Sequence, residues 1–392
     1  MTNKRLFIRL EELTEAQGER LASLGIDVSL FNGCYILPGF TDVHVHLREP
    51  GFLYKETIAT GTLAAAAGGF TDILSMPNLN PVPDSVEHLQ VQLDAIVKDA
   101  VVHTYPYGSI TVGEMGEELA DLEGMAENAV AFTDDGKGVM SDEFMKEAMI
   151  RSKELGKLIV AHCEDENYPR ESPEAEFMQL ERDLNLVRET GCPYHMCHVS
   201  TWQSMQLIRT AKEEGLDVTV ETAPHYLVHS KKTIEDHGRF KMNPPIKDEA
   251  DRLALIEAIK DGTIDMIATD HAPHSAEEKE GGFAKAAFGI VGLETCFPIM
   301  YKYIVEEEII TLDKLIEMMY VNPRERFGFE APSIDAILDS EFCNFAIWNL
   351  DEEYTVDPEE FKTMGRSTPF EGMDVKGRCL MTVVDGEIVY KR

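Results

Sequence analysis

Two histidines in one apolar run are the first residues in this chain that could do chemistry. His44 and His46 lie two positions apart in a segment that reads as a β-strand. Side chains at positions i and i+2 of a strand share a face, so both imidazoles point the same way. Paired imidazoles suit a borderline divalent cation such as zinc. Hydrogen-bonded histidine pairs share this spacing, so the metal hypothesis depends on the other strand ends.

Polar residues follow several other apolar runs in the same manner. In a barrel of parallel strands the carboxyl ends of all strands meet on one rim, where active sites lie. Scattered positions would rarely place so many histidines and carboxylates at strand ends. The candidate rim residues beyond the first strand are Asn78, Asp134, Asp135, His162, His198, Asp270 and His274.

The candidate ligands outnumber what one tetrahedral zinc ion needs. Four histidines and two carboxylates are typical of two metal ions that share a bridging carboxylate and activate water. Asp135 or its neighbour Asp134 is placed to bridge the ions. Asp270 can bind a metal and also take a proton from an attacking water. The residues therefore predict one or two Zn²⁺ ions per chain and a hydrolytic reaction.

Arg48 follows the histidine pair by two residues and introduces a second kind of chemistry. A guanidinium presents a fixed fork of donors that fits a carboxylate. Asn78 and His274 lie at neighbouring strand ends. Together these three residues predict an anion clamp beside the metals. The expected reaction is hydrolysis or cyclisation of an amide in a small molecule that carries a carboxylate.

The segments that must position these residues alternate between apolar runs and amphipathic stretches. Most of the runs are continuously apolar, as is typical of parallel strands covered on both sides. This alternation predicts an α/β fold, a (β/α)₈ TIM barrel, with a doubly wound open sheet as the second choice. No GxGxxG sequence follows an early strand, which disfavours the open sheet. The predicted strands are 36–46, 70–76, 101–107, 129–133, 157–162, 193–198, 217–222 and 264–269, and the predicted helices are 55–68, 84–99, 116–127, 141–155, 173–190, 202–214, 249–260 and 312–320.

Both ends of the chain depart from this alternation. Residues 343–348 and 379–390 read as strands, and the second contains a hairpin signal at Asp385-Gly386. The N-terminal segment offers a short strand at 5–9 and a helix at 11–24. We therefore expect a small β-rich domain made of both termini, residues 1–37 and 335–392, beside a barrel of residues 38–334.

The composition of the chain limits the kinds of molecule that it is expected to bind. The chain has 392 residues, with 36 Lys and Arg against 71 Asp and Glu, a formal net charge of −35. The electrostatic field of so negative a chain disfavours binding to nucleic acid and to anionic membranes. No apolar run approaches the ~18 residues that span a bilayer, and the charged N-terminus is no signal peptide. The seven scattered cysteines predict no disulfide framework. The expected protein is soluble and cytoplasmic.

The motifs taken together resemble dihydroorotase of class I type, in the amidohydrolase superfamily. No single motif is decisive, but their joint order and spacing are specific, and they cover roughly residues 36–392. The matching runs are PGFTDVHVHLREPG (38–51), MPNLNP (76–81), AFTDDG (131–136), AHCE (161–164), CHVST (197–201), MNPP (242–245), TDHAPHSAEEKE (269–280), FGIVGLET (288–295) and the C-terminal STPFEGMDVKGRCLMTVVDGEIVY (367–390).

This resemblance assigns roles to individual residues. It implies that Arg48, Asn78 and His274 hold the substrate carboxylate, and that Asp270 acts as base and then as acid. It also implies that Asn243 and the FGIVG run (288–292) contact the pyrimidine ring and close the pocket. The implied reaction is the reversible interconversion of N-carbamoyl-L-aspartate and L-dihydroorotate in pyrimidine biosynthesis. Family members are commonly dimeric or larger. The implied metal ligands are His44, His46, Asp135 as the bridge, His162, His198 and Asp270.

Two features depart from the family pattern, and two other functions stay open. The N-terminus lacks the family's usual strands, and the stretch between His162 and His198 is shorter than usual. A hydantoinase, dihydropyrimidinase or allantoinase would share the fold, although such relatives usually bridge with a lysine and lack Arg48. A non-catalytic barrel could instead act as a scaffold for aspartate transcarbamoylase. Such proteins tend to lose ligands, and none is missing here.

Overall fold

Parallel and antiparallel strands divide this chain into two structural parts. The structure, a computed structural model, describes residues 4–392. Numbered along the chain, the strands are β1 Ile8–Arg9, β2 Tyr35–Pro38, β3 Phe40–Val45, β4 Phe70–Ser75, β5 His103–Pro106, β6 Ile159–Ala161, β7 Tyr194–Met196, β8 Val218–Thr222, β9 Met266–Ile267, β10 Phe345–Thr355, β11 Asp374–Val384 and β12 Glu387–Lys391.

The strands β3 to β9 form the wall of a parallel barrel. They pair in the orders β3-β4-β5 and β6-β7-β8-β9. Phe132 joins the two groups, because it forms parallel bridges to Gly108 and to Ile159. A parallel bridge between Val45 and His271 closes the ring. The expected (β/α)₈ barrel is therefore confirmed, with its fourth strand reduced to one bridging residue.

Helices alternate with these strands and cover the outside of the barrel. Most predicted helices lie within two or three residues of the observed ones, and the stretch 173–190 matches at both ends. No helix in residues 4–392 is long and apolar enough to cross a membrane. The α-helices are α1 Glu15–Ser23, α2 Ile58–Ala67, α3 Val86–Asp99, α4 Leu122–Met125, α5 Asp142–Glu154, α6 Pro173–Thr190, α7 Trp202–Glu213, α8 Pro224–Val228, α9 Glu249–Asp261, α10 Gly282–Lys285, α11 Cys296–Met300, α12 Leu312–Ile316, α13 Asn322–Arg326 and α14 Ile334–Leu338, and π-helical turns span Tyr301–Val305 and Glu317–Val321.

The predicted helix at 116–127 is wrong except for the single turn of α4. Gly116 has a φ of 69°, outside the right-handed helical region. An antiparallel bridge between Thr111 and Leu119 holds the following residues in an extended conformation. The backbone N–H and C=O groups that a helix would pair internally therefore form hydrogen bonds within a hairpin-like loop instead.

The predicted strand 36–46 is two strands rather than one. It divides at Gly39, whose backbone N–H donates to the carbonyl of Asn344 at 3.1 Å. A Cβ at this position would lie 2.2 Å from Oγ1 of Thr71, so only glycine permits the close approach. Glycine thus allows the chain to leave one sheet and enter the barrel within one residue.

The two termini build a five-stranded antiparallel sheet in the order β1-β2-β10-β11-β12. Its last hairpin turns at Asp385 and Gly386, with φ values of 50° and 82°, as the sequence signal predicted. Strands β10 and β11 are longer than expected, at 11 residues each. The domain boundaries at 37 and 335 stay a prediction.

One hydrophobic core joins this terminal sheet to the barrel. Trp348 of β10 is fully buried. Its ring lies 4.4 Å from that of Phe297 and 5.9 Å from that of Phe40, measured between centroids. All seven cysteines are buried and free, so packing rather than disulfides holds the two parts together.

A histidine also connects the two parts by charge. His103, at the start of β5, faces Asp72 of β4 at 3.3 Å and Asp385 of the terminal hairpin at 2.9 Å. The hydrogen bond to Asp72, opposed by burial and helped by Asp385, raises the pKa of His103 to about 9. Arg324 lies 2.8 Å from Asp72 on its other side. The imidazolium thus bridges carboxylates of the barrel and the terminal sheet.

This bridge predicts a pH dependence of stability. A raised folded-state pKa contributes stability below the unfolded pKa of about 6.5, and that contribution is lost as pH rises through about 9. We expect the free energy of unfolding to fall by on the order of 1 to 2 kcal/mol across this window, after allowance for solvent screening. Urea unfolding of wild type and His103→Ala at pH 6, 7.5 and 9 measures it. A slope that His103→Ala leaves unchanged would contradict the assignment.

Candidate metal centre and active site

The predicted ligands lie at the carboxyl ends of the barrel strands. His44 is in β3, and His46 follows its last residue. His162 follows β6, His198 comes two residues after β7, and Asp270 comes three residues after β9. A barrel built in this order gathers residues more than 200 positions apart in sequence onto one rim.

Asp135 is the centre of this cluster. Its Oδ1 atom lies 3.4 Å from Nε2 of His44, 3.6 Å from Nε2 of His198 and 3.7 Å from Nδ1 of His162. Its Oδ2 atom lies 3.3 Å from Nε2 of His46. One carboxylate therefore faces imidazoles from three different strands, as a bridging ligand must.

Asp270, in the segment that follows β9, approaches His44 and His46 as well. Its Oδ1 atom lies 3.5 Å from Nε2 of His44 and 3.4 Å from Nε2 of His46. These three ligand atoms lie within 4.8 Å of one another, and so do those of His44, Asp135 and His198. The structure therefore brings five of the six predicted ligands together in two overlapping groups, and the sixth, His162, lies 3.7 Å from Asp135.

The residues present fit divalent cations. Asp135 and Asp270 are 2% and 5% exposed, and neither pairs with a lysine or arginine of the described chain. Two buried carboxylates without a compensating positive charge are costly. Within residues 4–392, Nε2 of His44 and Oδ1 of Asp135 are buried without hydrogen-bond partners. A bound cation would satisfy both atoms and balance the charge.

Backbone conformation supports a functional role for this rim. His198, Asp270 and Arg48 have φ values of 31°, 49° and 63°, in the left-handed region that non-glycine residues rarely adopt. Such conformations cost energy and persist where the surrounding structure enforces them, often at active sites. Three of the predicted site residues share this property.

Glu221 orients the first ligand, and sequence reasoning missed it. Its Oε1 atom lies 2.6 Å from Nδ1 of His44, and its Oε2 atom lies 3.1 Å from Nε2 of His195. Burial would raise the pKa of Glu221, but the two histidines outweigh it and hold the pKa well below the usual range. The carboxylate accepts a hydrogen bond from Nδ1–H and leaves Nε2 of His44 free for a metal. A buried glutamate inside the apolar strand β8 was the available signal.

Glu164 orients a second predicted ligand, His162, and sequence reasoning missed this glutamate as well. Its Oε2 atom lies 3.0 Å from Nε2 of His162, and its other oxygen pairs with Arg170. Asn243 donates from Nδ2 to Glu164 at 2.7 Å. The same Nδ2 atom of Asn243, the residue predicted to contact the ring of a substrate, lies 3.2 Å from Nε2 of His162, a predicted metal ligand. The AHCE run contained this glutamate two residues after His162.

The predicted anion clamp lines a cavity of about 300 Å³ together with the metal-facing residues. Nε of Arg48 donates to the carbonyl of Pro273 at 3.2 Å, and neither Nη atom donates to another described residue. Nδ2 of Asn78 donates to the backbone carbonyl of Asp135. The described residues that line the cavity include His46, Arg48, Asn78, Asp135, His162, Asn243, Asp270 and His274.

His274 is a neutral member of this clamp. Burial, with the positive charges of Arg48 and Lys55, lowers its pKa to about 4. Its Nε2 atom donates to the carbonyl of Phe288 at 2.8 Å. Its Nδ1 atom lies 3.0 Å from Oε2 of Glu278 and 3.4 Å from Nζ of Lys55, so both ring nitrogens have partners in this structure. Arg48 supplies the charge that attracts an anion.

The structure separates the two adjacent aspartates that the residues alone left open. Asp134 does not join the histidine cluster: its Oδ1 accepts hydrogen bonds from the backbone N–H groups of Ile110 at 2.7 Å and Thr111 at 3.1 Å. The Thr111 hydroxyl donates to its other oxygen. Burial, opposed by these hydrogen bonds, raises the pKa of Asp134 to about 6. Asp134 therefore holds a loop, and Asp135 faces the histidines.

Substitution of these neighbours should separate stability from metal binding. Asp134→Ala leaves two buried backbone N–H groups without an acceptor, so the free energy of unfolding should fall by about 2 to 4 kcal/mol. Asp135→Ala should lower the metal bound per chain, with a smaller effect on unfolding measured without metal. Elemental analysis and urea unfolding of both variants check this. The reverse pattern would mean that Asp134 is the bridge.

Comparisons with known proteins match this arrangement. Residues 33–180 match the family described as Dihydro-orotase-like. The chain is 44% identical to a dihydroorotase of Fusobacterium nucleatum over 374 residues, which is 91% of this chain and 87% of the relative. It is 45% identical to a dihydroorotase of Geobacillus sp. over 379 residues, 92% and 88% of the two chains. An L-hydantoinase from Arthrobacter aurescens has a similar structure, with a TM-score of 0.81, 26% identity, and 93% and 87% of the chains covered.

Proposed function

The chain belongs to the dihydroorotase family, and on that premise we propose that it interconverts N-carbamoyl-L-aspartate and L-dihydroorotate. The observation that carries the proposal is the pairing of two features in one cavity. Buried histidines and carboxylates converge on one side, and Arg48 stands beside them with its terminal nitrogens uncommitted. A hydrolytic centre beside an anion clamp fits a cyclic amide that carries a carboxylate.

We assign the metal ligands as predicted and propose zinc as the ion. The ligands are His44, His46, Asp135, His162, His198 and Asp270, a nitrogen and oxygen donor set that zinc accepts. When bound, the ions would polarise the amide carbonyl and make water acidic enough to attack it. Glu221 and Glu164 hold His44 and His162 in the orientations that present these ligands. The number of ions, one or two per chain, stays a prediction.

Different residues of the chain would bind the substrate and transfer the proton. Arg48, Asn78 and His274 would bind the carboxylate of dihydroorotate, and Asn243 would contact its ring. In ring opening, a water oxygen bonds to the amide carbon while the bond from that carbon to nitrogen breaks. Asp270 would accept the proton of the water and return it to the departing nitrogen. Ring closure is the reverse of these steps.

Two other functions are less well supported. The structural relative named L-hydantoinase shares the fold. A neutral cyclic imide, however, would leave the guanidinium of Arg48 without a partner in the cavity. A non-catalytic scaffold is disfavoured because every predicted ligand is present and faces the cluster. Cytoplasmic location, an assembly of two or more chains, and association with aspartate transcarbamoylase stay predictions from the sequence.

The test measures the turnover of L-dihydroorotate by purified protein of known metal content. Turnover is monitored as a loss of absorbance. Dihydrouracil and allantoin serve as uncharged cyclic controls. We expect turnover of dihydroorotate and little of the controls. Turnover of the neutral compounds alone would favour a hydantoinase-like activity. No turnover despite bound metal would favour the scaffold.

A further inference from the structure

A second cavity lies directly beside the substrate cavity. Its volume is about 350 Å³, and neither the predicted metal ligands nor the predicted substrate-binding residues Arg48, Asn78, Asn243 and His274 line it. Phe288 lines both this cavity and the substrate cavity, so its side chain lies between them. Besides Phe288, the apolar residues that line the second cavity, called the apolar cavity below, are Ile234, Phe240, Met242, Pro245, Ile246 and Phe283. Charged residues also line it, namely Glu171, Lys231, Glu235, Asp236 and Lys241.

Two cations fix the ring of Phe288 in this position. The guanidinium carbon of Arg170, which lines the substrate cavity, lies 4.7 Å from the ring centroid. The ammonium of Lys241, which lines the apolar cavity, lies 4.3 Å from it. Both distances are within the range of cation–π attraction. The ring is therefore held by one charged residue from each cavity.

A buried lysine fixes the backbone on both sides of Phe288. Nζ of Lys279 donates to the carbonyls of Ala287 at 2.7 Å and Gly289 at 2.5 Å. It also donates to the carbonyl of Lys241 at 3.0 Å. Lys279 is 8% exposed, so its ammonium depends on these three carbonyls rather than on water for hydrogen bonds. One ammonium thus joins the two chain segments that meet at the ring.

Further contacts leave this segment little freedom. The backbone N–H of Gly289 donates to Lys241 at 3.0 Å, and the carbonyl of Phe288 accepts from His274 at 2.8 Å. Gly289 has a φ of 134°, and a Cβ there would lie 2.5 Å from the carbonyl oxygen of Ala272. A wall with fixed backbone and a fixed ring excludes molecules by size, whereas a mobile loop would adapt to them.

We propose that the ring of Phe288 is a partition that excludes cyclic amides with large apolar substituents, by closing the apolar cavity off from the substrate cavity. This rests on the proposed function, which names cyclic amides as the substrate class. The apolar cavity is larger than the substrate cavity and could hold a benzyl group. Removal of the ring joins the two spaces and supplies an apolar subsite beside the metals.

The test compares two phenylalanine variants. Phe288→Ala opens the partition, whereas Phe283→Ala enlarges the apolar cavity without touching the substrate cavity. The probe is 5-benzylhydantoin, measured as kcat/KM for its hydrolysis and as a competitive inhibitor of dihydroorotate turnover. We expect at least a tenfold gain in kcat/KM and tighter inhibition for Phe288→Ala, since burial of an apolar group in such a pocket gives ~10- to 200-fold effects. We expect no gain for Phe283→Ala.

Each other outcome counts against the partition. A folded Phe288→Ala without a gain, or an equal gain in Phe283→Ala, overturns it. If Phe288→Ala fails to fold, Lys279→Met loosens the frame instead, and the absence of any gain there overturns the proposal. Wild-type turnover of dihydroorotate is measured first, so a failure of the proposed function is seen separately. In that case calorimetric binding of 5-benzylhydantoin to the same variants decides the partition.

Discussion

Asp270→Ala should lower the turnover of dihydroorotate by at least ~10³-fold while the protein stays folded. The substitution removes the group that we propose moves a proton between water and the departing nitrogen, a contribution that is typically ~10²- to 10⁴-fold. It also removes a carboxylate that lies 3.5 Å and 3.4 Å from two metal-facing imidazoles. Both losses act on the same step, so the effect should appear in kcat rather than in KM alone.

A matched control is available in the same segment. Asp265 precedes β9 and pairs with Lys212 at 2.7 Å, at the other end of the barrel from the cavity. Asp265 also accepts a hydrogen bond from the buried backbone N–H of Val220 at 2.8 Å, so Asp265→Ala should lower the free energy of unfolding by about 1 to 3 kcal/mol and leave kcat close to wild type. Thermal unfolding and metal analysis of both variants separate loss of fold and loss of metal from loss of proton transfer. A fully active Asp270→Ala protein would refute the assigned base.

Arg48→Met should weaken the use of dihydroorotate by about 10²-fold and change the use of a neutral ring very little. The guanidinium lines the cavity with both Nη atoms uncommitted. Two charge-assisted hydrogen bonds to a carboxylate contribute about 3 kcal/mol, which corresponds to ~10²-fold in affinity. Dihydrouracil has no carboxylate and loses nothing when the guanidinium is removed.

The measurement is the ratio of kcat/KM for dihydroorotate to that for dihydrouracil, in wild type and in Arg48→Met. Arg48→Lys keeps the charge without the planar fork and should fall between the two. Similar losses with both compounds would show that Arg48 supports the fold of the site rather than the anion. In that event the substrate would be hydantoinase-like, and the proposed function would need revision.

The strand ends show how far sequence alone determines this protein. A parallel barrel places the residue after each strand on one rim, whatever the intervening helices do. Identification of the strands therefore predicted that His44, His162, His198 and Asp270 converge, although they are far apart in sequence. The continuous apolar runs that identify the strands arise from burial on both faces, a property of sequence that needs no structure to read.

Local boundaries were less predictable, because tertiary contacts override local pattern. Residues 116–127 have helical composition but form a loop and the single turn of α4, since the bridge from Leu119 to Thr111 and the left-handed Gly116 prevent a longer helix. The division at Gly39 depends on the nearness of Thr71, a residue of another strand. Neither contact is visible in a window of neighbouring residues.

Three features of the site were decided by the tertiary structure alone. Asp134 and Asp135 are neighbours of identical type, and only the loop at Ile110 shows which one faces the metals. Glu221 orients His44 across 177 positions of sequence. Phe288 becomes a partition only because two cavities meet at its ring. The sequence determined which chemical groups reach the rim, since strand order and alternation place them there. Which oxygen faces a metal and which ring closes a cavity depend on side-chain directions that packing between distant segments sets.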